Sequence, residues 1–166
     1  MNFYVEATIG AGKSTLLRNM VEVLKEQHDV VAHAVLEPVN EWVSTPAGNI
    51  LSLFGADQHG YSFPTQVLIM STMSSQRANP TMSEVTLYER SLESAKLIFQ
   101  KTLADDGFLP PLQNHILDKL YMTLKPGAPP VDGIIYIKVN FCVIAISSLT
   151  SFRRWLFIFH QHVKLF

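Results

Sequence analysis

The chain has 166 residues, of which 48% are hydrophobic and 16% are charged, and its formal net charge is −1. This length and hydrophobic content predict one domain with a sizeable core, and the near-neutral charge argues against general attraction to nucleic acid or anionic membranes. A single cysteine, Cys142, excludes an internal disulfide framework, and no basic leader or run of about 18 apolar residues occurs, so we expect a cytoplasmic protein without nucleic-acid or membrane partners.

Strand-like and helical patterns alternate along the chain. Apolar, β-branched runs predict strands, and apolar residues recurring at helical spacing predict helices. In chain order, we predict a strand over 3–9, a helix over 14–27, a strand over 30–36, a helix over 66–75, a strand over 85–88, helices over 92–103 and 112–124, and a strand over 133–139. This order predicts an α/β fold with a parallel sheet. The near-continuous apolar strands predict burial on both faces of the sheet.

Chemically rich segments follow the first three predicted strands. They are residues 7–15, 37–42 and 89–91. In open parallel sheets, ligands bind beyond the carboxyl ends of the strands. We therefore expect the three segments to lie on one rim of the sheet and to form one site.

The first of these segments has the pattern of a phosphate-binding loop. Its glycines let the backbone curl so that N–H groups converge on phosphate oxygens, and the following helix begins with its positive dipole end at the loop. The lysine is expected to reach the β- and γ-phosphates and the serine to ligate Mg²⁺. The predicted nucleotide-binding residues are Gly10, Ala11, Gly12, Lys13, Ser14 and Thr15. Ala7 stands where this motif usually has glycine, and the alternative is a glycine-rich turn with no ligand.

Four segments in order resemble one family of enzymes. IGAGKST, EPVNEW, FPTQ and ERS follow one another at residues 9–15, 37–42, 63–66 and 89–91. Together they resemble the deoxynucleoside kinases, over about residues 3–139. The resemblance implies a three-layer P-loop kinase fold, with a parallel sheet flanked by helices. It also implies transfer of the γ-phosphoryl group of ATP to the 5′-hydroxyl of a deoxynucleoside, with Mg²⁺.

The resemblance implies catalytic roles for two glutamates, an arginine and a lysine. It implies that Glu37 is the general base, which suits a carboxylate within hydrogen-bond reach of the 5′-hydroxyl. It implies that Arg90 steadies Glu37 and the 5′-oxygen, and that Glu89 acts with Ser14 near Mg²⁺. Lys13 completes the catalytic set. The alternatives are a surface-loop glutamate at position 37 and a structural Glu89–Arg90 ion pair at a strand end.

Three further residues match substrate-binding positions of the family. Trp42 corresponds to an aromatic lining the nucleoside pocket, Gln66 to the glutamine that pairs with the base, and Phe99 to a phenylalanine stacked on it. An amide offers a donor and an acceptor together, so a pyrimidine is the expected base. The alternatives are core packing for Trp42 and Phe99 and a solvent-facing position for Gln66. Gly55 stands at or near a family tyrosine that contacts the 3′-hydroxyl, and Tyr61 is the candidate substitute.

The end of the chain departs from the family pattern. Family members continue after the fourth strand with a helix, an arginine-rich lid and a fifth strand, whereas no Asp or Glu follows Asp132 here. We therefore divide the chain into an incomplete kinase domain, residues 1–139, and an atypical apolar tail, residues 140–166, without the usual lid and last strand. The alternative reading of Arg153-Arg154 as a lid remnant has the wrong spacing.

Three functional hypotheses follow. The first is a deoxynucleoside kinase whose activity is reduced by the missing lid, and the second is a nucleotide-binding product without turnover. The third is another small-molecule P-loop kinase, such as one for nucleoside monophosphates. Those enzymes place extra arginines around a second phosphate-bearing substrate, and only Arg18, Arg77 and Arg90 precede the tail. The resemblance also implies a homodimer formed through a helical face.

Overall fold

The computed structural model describes residues 1–78 and 81–138, which divide into two compact units. Among the described residues, the sheet unit contains Met1–Val35, Ser83–Glu89 and residues 131–138, and the helical unit contains Leu36–Met82 and Arg90–Pro130. Asn79 and Pro80, Val139 of the last predicted strand, and the predicted tail, residues 140–166, lie outside the described residues.

Within the described residues, the sheet unit is built on a four-stranded parallel sheet. Its strands are β1 (Asn2–Ala7), β2 (Ala32–Val35), β3 (Val85–Glu89) and β4 (Gly133–Ile137), in the spatial order β2-β3-β1-β4. Each corresponds to a strand predicted from the sequence, and the α/β fold class is confirmed. β1 ends at Ala7 and β2 covers only Ala32–Val35, so both are shorter than predicted, whereas β3 extends to Glu89 and β4 matches its prediction up to Ile137.

The two central strands carry the core of the sheet. In β1, Tyr4 and Val5 are buried, and in β3, Leu87 and Tyr88 are buried. The rings of Tyr4 and Tyr88 stack across the strands with centroids 4.9 Å apart, which adds aromatic contact to the apolar burial.

β4 does not follow the predicted burial pattern. Ile134 and Tyr136 are 67% and 61% exposed, although the strand sequence is almost wholly apolar. Among the described residues, β4 pairs with β1 alone and lies at one side of the sheet. The prediction that every strand is buried on both faces is therefore wrong for the described part of β4, because Ile134 and Tyr136 share one face of the strand and that face is largely uncovered.

Helix α1 (Lys13–His28) confirms the helix predicted over residues 14–27. It follows Gly12 directly and ends at Asp29, whose φ of 52° places it in the left-handed region and whose N–H donates to the Leu24 carbonyl. The helix packs on β1, β2 and β3, and Leu17 is fully buried. The N-terminus of α1, at Gly12, lies at the end of the loop that follows β1.

The helical unit contains the remaining helices. They are α2 (Val39–Val43), α3 (Ile50–Ala56), α4 (Gln58–Arg77), α5 (Leu92–Ser94), a π-helical segment (Ala95–Gln100), α6 (Lys101–Asp105), α7 (Pro111–Leu124) and a 3₁₀ turn (Lys125–Gly127). The helix predicted over 92–103 is thus interrupted by a π-helical turn, and α7 matches its prediction closely. α4 packs against α3 and α7. Met70, Leu92, Ala95 and Tyr121 form a core cluster at this packing.

α4 is much longer than the helix predicted over residues 66–75. Asp57 caps its first turn by accepting a hydrogen bond from the Gly60 N–H at 3.0 Å. Pro64 lies inside the helix, where it lacks the N–H needed to bond the Gly60 carbonyl. The predicted helix began after this proline, at residue 66. In the structure, tertiary packing of α4 overcomes the tendency of the proline to end a helix. No helix within residues 1–78 and 81–138 combines the length and apolarity needed to cross a membrane.

Candidate functional site

The loop between β1 and α1 has the backbone of a phosphate-binding turn. Gly10 and Gly12 have φ values of 79° and 80°, a region that side chains with a Cβ rarely adopt. The Ala11 N–H donates to the Thr8 carbonyl at 3.3 Å, which closes the turn. Left-handed glycines that lead into a helix N-terminus are a suitable frame for amide N–H groups that bind an anion.

The Lys13 side chain lies against this loop. It is only 5% exposed, and its ammonium donates to the Thr8 carbonyl at 3.3 Å. Ser14 and the exposed Thr15 follow it in the first turn of α1. The predicted lysine therefore places its charge at the glycine turn, where a phosphate group would receive both the ammonium and the amide N–H groups.

Ser14 and Glu89 meet within the sheet unit. The Ser14 hydroxyl donates to both carboxylate oxygens of Glu89, at 2.8 and 3.0 Å, and Glu89 is 4% exposed. The geometry follows from topology, because Ser14 lies in the first turn of α1 after β1 and Glu89 ends the neighbouring strand β3. A hydroxyl beside a carboxylate fits Mg²⁺, which prefers oxygen ligands and takes few of them from protein at phosphate sites. No group of at least three His, Cys, Asp or Glu side chains suited to a metal occurs in the described ranges.

Glu37 and Arg90 form an ion pair within the helical unit. The Arg90 Nε lies 2.9 Å from the Glu37 Oε1, with the side chains 7% and 18% exposed. Glu37 is therefore not the surface-loop glutamate of the alternative hypothesis. A largely buried carboxylate held by a guanidinium has a defined orientation.

Arg90 has an unusual backbone conformation that the sequence did not reveal. Its φ of 62° lies in the left-handed region, which is costly for a residue with a long side chain and often marks functional sites. The Arg77 guanidinium donates to the Arg90 carbonyl at 2.8 Å, and Arg77 is 3% exposed. Arg77 therefore supports the strained backbone at Arg90. No motif in the sequence indicated this role.

The Arg90 guanidinium also lies over the ring of Phe99, with its central carbon 4.8 Å from the ring centroid. This contact is a cation–π interaction. Phe99 belongs to the π-helical segment and is partly exposed, so it is not a fully buried core residue. π-helical turns occur frequently at functional sites, and this one brings the predicted base-stacking residue to the predicted catalytic arginine.

A polar network ties the π-helical segment to α7. The buried Gln100 amide donates to Asn114 Oδ1 and to Asp118 Oδ1, each at 2.7 Å. Lys96 forms an ion pair with the same Asp118 carboxylate. The hydrogen bond from Lys96 is the main cause that holds the pKa of Asp118 below its ordinary value. The network anchors both ends of the turn that contains Phe99.

Trp42 and Gln66 are both buried in the helical unit, at 5% and 3% exposure. The Trp42 indole N–H donates to the Thr72 hydroxyl of α4 at 2.8 Å. The solvent-facing alternative for Gln66 is therefore wrong. Burial of Trp42 is compatible both with core packing and with a pocket wall, so its substrate role stays a prediction, as does that of Tyr61.

The structure thus assembles the predicted residues in two groups. The sheet unit brings the glycine loop, Lys13 and Ser14 to Glu89, and the helical unit brings Glu37 and Phe99 to Arg90. We expected both groups to lie on one rim of the sheet, and the kinase domain to end after residue 139. Both stay predictions.

Comparison with known proteins matches this chain to one family model and to several kinases. The family model described as deoxynucleoside kinase matches residues 3–145. Human mitochondrial thymidine kinase 2 is 31% identical over 137 residues, covering 82% of this chain and 49% of that protein. The thymidine kinase of Ictalurid herpesvirus 1 (strain Auburn) is 34% identical over 109 residues, covering 65% and 45%. Putative kinase protein 029R of Invertebrate iridescent virus 3 is 28% identical over 137 residues, covering 82% and 62%. The chain spans about half the length of the thymidine kinases it matches.

Proposed function

The chain belongs to the deoxynucleoside kinase family, and from this we propose that it transfers the γ-phosphoryl group of ATP to the 5′-hydroxyl of a deoxynucleoside. The observation that carries the proposal is the Glu37–Arg90 ion pair at 2.9 Å. A protein that only binds nucleotides needs no oriented carboxylate, whereas a kinase needs one to accept the proton of its acceptor hydroxyl.

In the proposed reaction, Glu37 accepts the proton of the 5′-hydroxyl as the oxygen attacks the γ-phosphorus. Arg90 orients the carboxylate, and its positive charge counters negative charge on the reacting oxygens. Phe99 supports the guanidinium from one side, at 4.8 Å. These contacts support an arrangement in which the base and its positioning groups are assembled before substrate binds.

The glycine loop and Lys13 are proposed to bind the phosphates of ATP. The φ values of Gly10 and Gly12, 79° and 80°, favour converging N–H groups. Ser14 and Glu89 are proposed to hold Mg²⁺, which when bound neutralises charge on the β- and γ-phosphates. Because the Ser14 hydroxyl already donates to Glu89, these oxygens are oriented together by the fold.

A pyrimidine deoxynucleoside is the proposed acceptor, with thymidine tested first. Gln66 supplies an amide donor and acceptor for the edge of the base, while Trp42 and Phe99 supply aromatic surface. The names of two similar proteins, both thymidine kinases, point to the same substrate class. A cytoplasmic location and a homodimer remain predictions from the sequence and from the resemblance.

The direct test uses the complete purified chain with ATP, Mg²⁺ and each of the four deoxynucleosides. We expect formation of a deoxynucleoside monophosphate, with a pyrimidine preferred. ATP binding is measured in parallel by a thermal shift. Binding of ATP without any monophosphate product would contradict the proposal and favour the nucleotide-binding hypothesis.

Replacing Arg77 by methionine is expected to lower kcat by roughly 10- to 100-fold, because small displacements of catalytic groups have effects of this size. The KM for ATP should stay unchanged, since Arg77 bonds the Arg90 carbonyl in the helical unit. Arg77→Lys should restore part of the activity, because it keeps a cationic donor.

Arg18→Met is the matched control, because Arg18 is exposed on α1, and steady-state kinetics with a melting curve check each variant. If Arg77→Met lowers Tm but leaves kcat intact, Arg77 stabilises the fold without positioning Arg90.

A further inference from the structure

Three side-chain oxygens on α4 are buried without a hydrogen-bond partner in the described part of the chain. They are the Ser62 Oγ, the Thr65 Oγ1 and the Gln66 Oε1. Ser62 and Thr65 have 0% exposure and Gln66 has 3%. Burying a polar oxygen without a partner costs about 1–3 kcal/mol, and native proteins rarely leave such groups unsatisfied. Three such oxygens within five consecutive positions of one helix indicate that these side chains share a function, not three separate packing faults.

A hydroxyl in a helix has an ordinary way to satisfy itself, which is to bond the carbonyl four residues earlier. Thr72, on the same helix, does this: its hydroxyl donates to the Leu68 carbonyl at 2.7 Å and accepts from the Trp42 indole at 2.8 Å. Ser62 and Thr65 make no such bond. Unlike the Thr72 hydroxyl, the hydroxyls of Ser62 and Thr65 are therefore not satisfied by a hydrogen bond to the helix backbone.

The three oxygens lie on one face of α4. Residues 62, 65 and 66 are spaced by three and four positions, which places them on adjacent rows of one helical surface. Met73 and Arg77 continue that surface toward the end of the helix, where Arg77 bonds the Arg90 carbonyl. The polar group therefore shares a helix face with the residue that supports the proposed catalytic arginine.

We propose that Thr65 and Ser62 form a polar subsite that binds a carbonyl group of the substrate base, beside the contact proposed for Gln66. The inference rests on the proposed function and specifies its substrate class. The Gln66 Oε1 accepts a hydrogen bond from a ring or exocyclic N–H, and the hydroxyls donate to a neighbouring carbonyl oxygen. Thymine presents both groups on adjacent ring positions, N3–H and the C4 carbonyl, whereas cytosine has no hydrogen on N3 and an amino group at C4, so among pyrimidines the subsite favours thymine.

The test is Thr65→Val, which removes the hydroxyl and keeps the shape of the side chain. Because the hydroxyl has no protein partner, the free variant should have an unchanged or higher Tm. Its KM for the preferred pyrimidine deoxynucleoside should rise about tenfold, which corresponds to one lost hydrogen bond. The KM for ATP should stay the same. Ser62→Ala is expected to change the same two quantities in the same directions.

Thr72→Val is the comparison variant for stability. Its hydroxyl has two partners in the structure, so its loss should lower Tm, the opposite of the result expected for Thr65→Val. A fall in Tm for Thr65→Val would show that its hydroxyl has a structural role and would overturn the proposal. An unchanged KM for the deoxynucleoside would overturn it as well, since ordered water alone would then satisfy the hydroxyls.

Nucleoside binding is also measured without turnover, as the rise in Tm caused by thymidine or deoxycytidine alone. A rise that occurs in the wild type and is reduced in Thr65→Val supports the subsite, even if no monophosphate forms. In that case only the proposed reaction fails. A rise of equal size in both proteins refutes the subsite and leaves the proposed reaction to its own assay.

Discussion

Replacing Glu37 by glutamine is expected to reduce phosphoryl transfer by about 10²- to 10⁴-fold, the range typical for loss of a general base. The amide keeps the size of the side chain and an acceptor for Arg90, but it cannot take the proton of the 5′-hydroxyl. The Tm should also fall, because the largely buried Arg90 charge loses its ionised partner at 2.9 Å. Product formation is measured by separating nucleosides from monophosphates, and folding is checked by circular dichroism.

The neighbouring Glu41 provides a matched control. It lies four residues further on, in α2, and is exposed, so Glu41→Gln should keep full activity and Tm. ATP binding should persist in Glu37→Gln, because the glycine loop is unchanged. Normal turnover by a folded Glu37→Gln protein would show that another group accepts the proton.

Lys13→Met is expected to have the second large effect. Loss of one preorganised charged donor at a reacting phosphate costs roughly 10²- to 10³-fold in kcat. The affinity for ATP should fall as well, because the ammonium lies at the glycine turn beside the Thr8 carbonyl. The affinity for the deoxynucleoside should change little. Initial rates over a range of ATP concentrations separate kcat from KM, and a thermal shift with ATP reports binding.

Lys25→Met serves as the control for Lys13→Met, because Lys25 is exposed in the last turn of the same helix. It removes the same charge from α1 without touching the loop. Equal losses of activity in both variants would mean that the net charge of α1 matters, and would contradict a specific role for Lys13.

Much of the sheet unit could be predicted from the sequence because its signals are local. The strand-then-glycine pattern before Lys13 predicts a turn with left-handed residues, and the structure has φ near 80° at Gly12. Parallel strands end at the same side of a sheet, so a serine after β1 and a glutamate ending β3 were expected together. The Ser14–Glu89 hydrogen bond realises that expectation.

The helical unit was harder to predict because tertiary contacts shape it. α2 and α3 have 5 and 7 residues, too few for periodicity to identify and too short to be stable alone. Apolar spacing predicted a helix only over residues 66–75, whereas α4 begins earlier, at Gln58, and continues through Pro64. The Arg77 contact with the Arg90 carbonyl joins a helix end to the residue after a strand, and no local pattern encodes such a contact. The partnerless hydroxyl of Thr65 became visible only once its burial was known.

The exposed outer face of β4 has a practical consequence for work on this protein. A fragment that stopped at Lys138 would carry Ile134 and Tyr136 on a strand that pairs on one side only among the described residues. Strands of this kind recruit copies of themselves and cause aggregation. Insolubility of such a fragment would therefore report on strand-to-strand association and not on nucleotide chemistry, so the assays above call for all 166 residues.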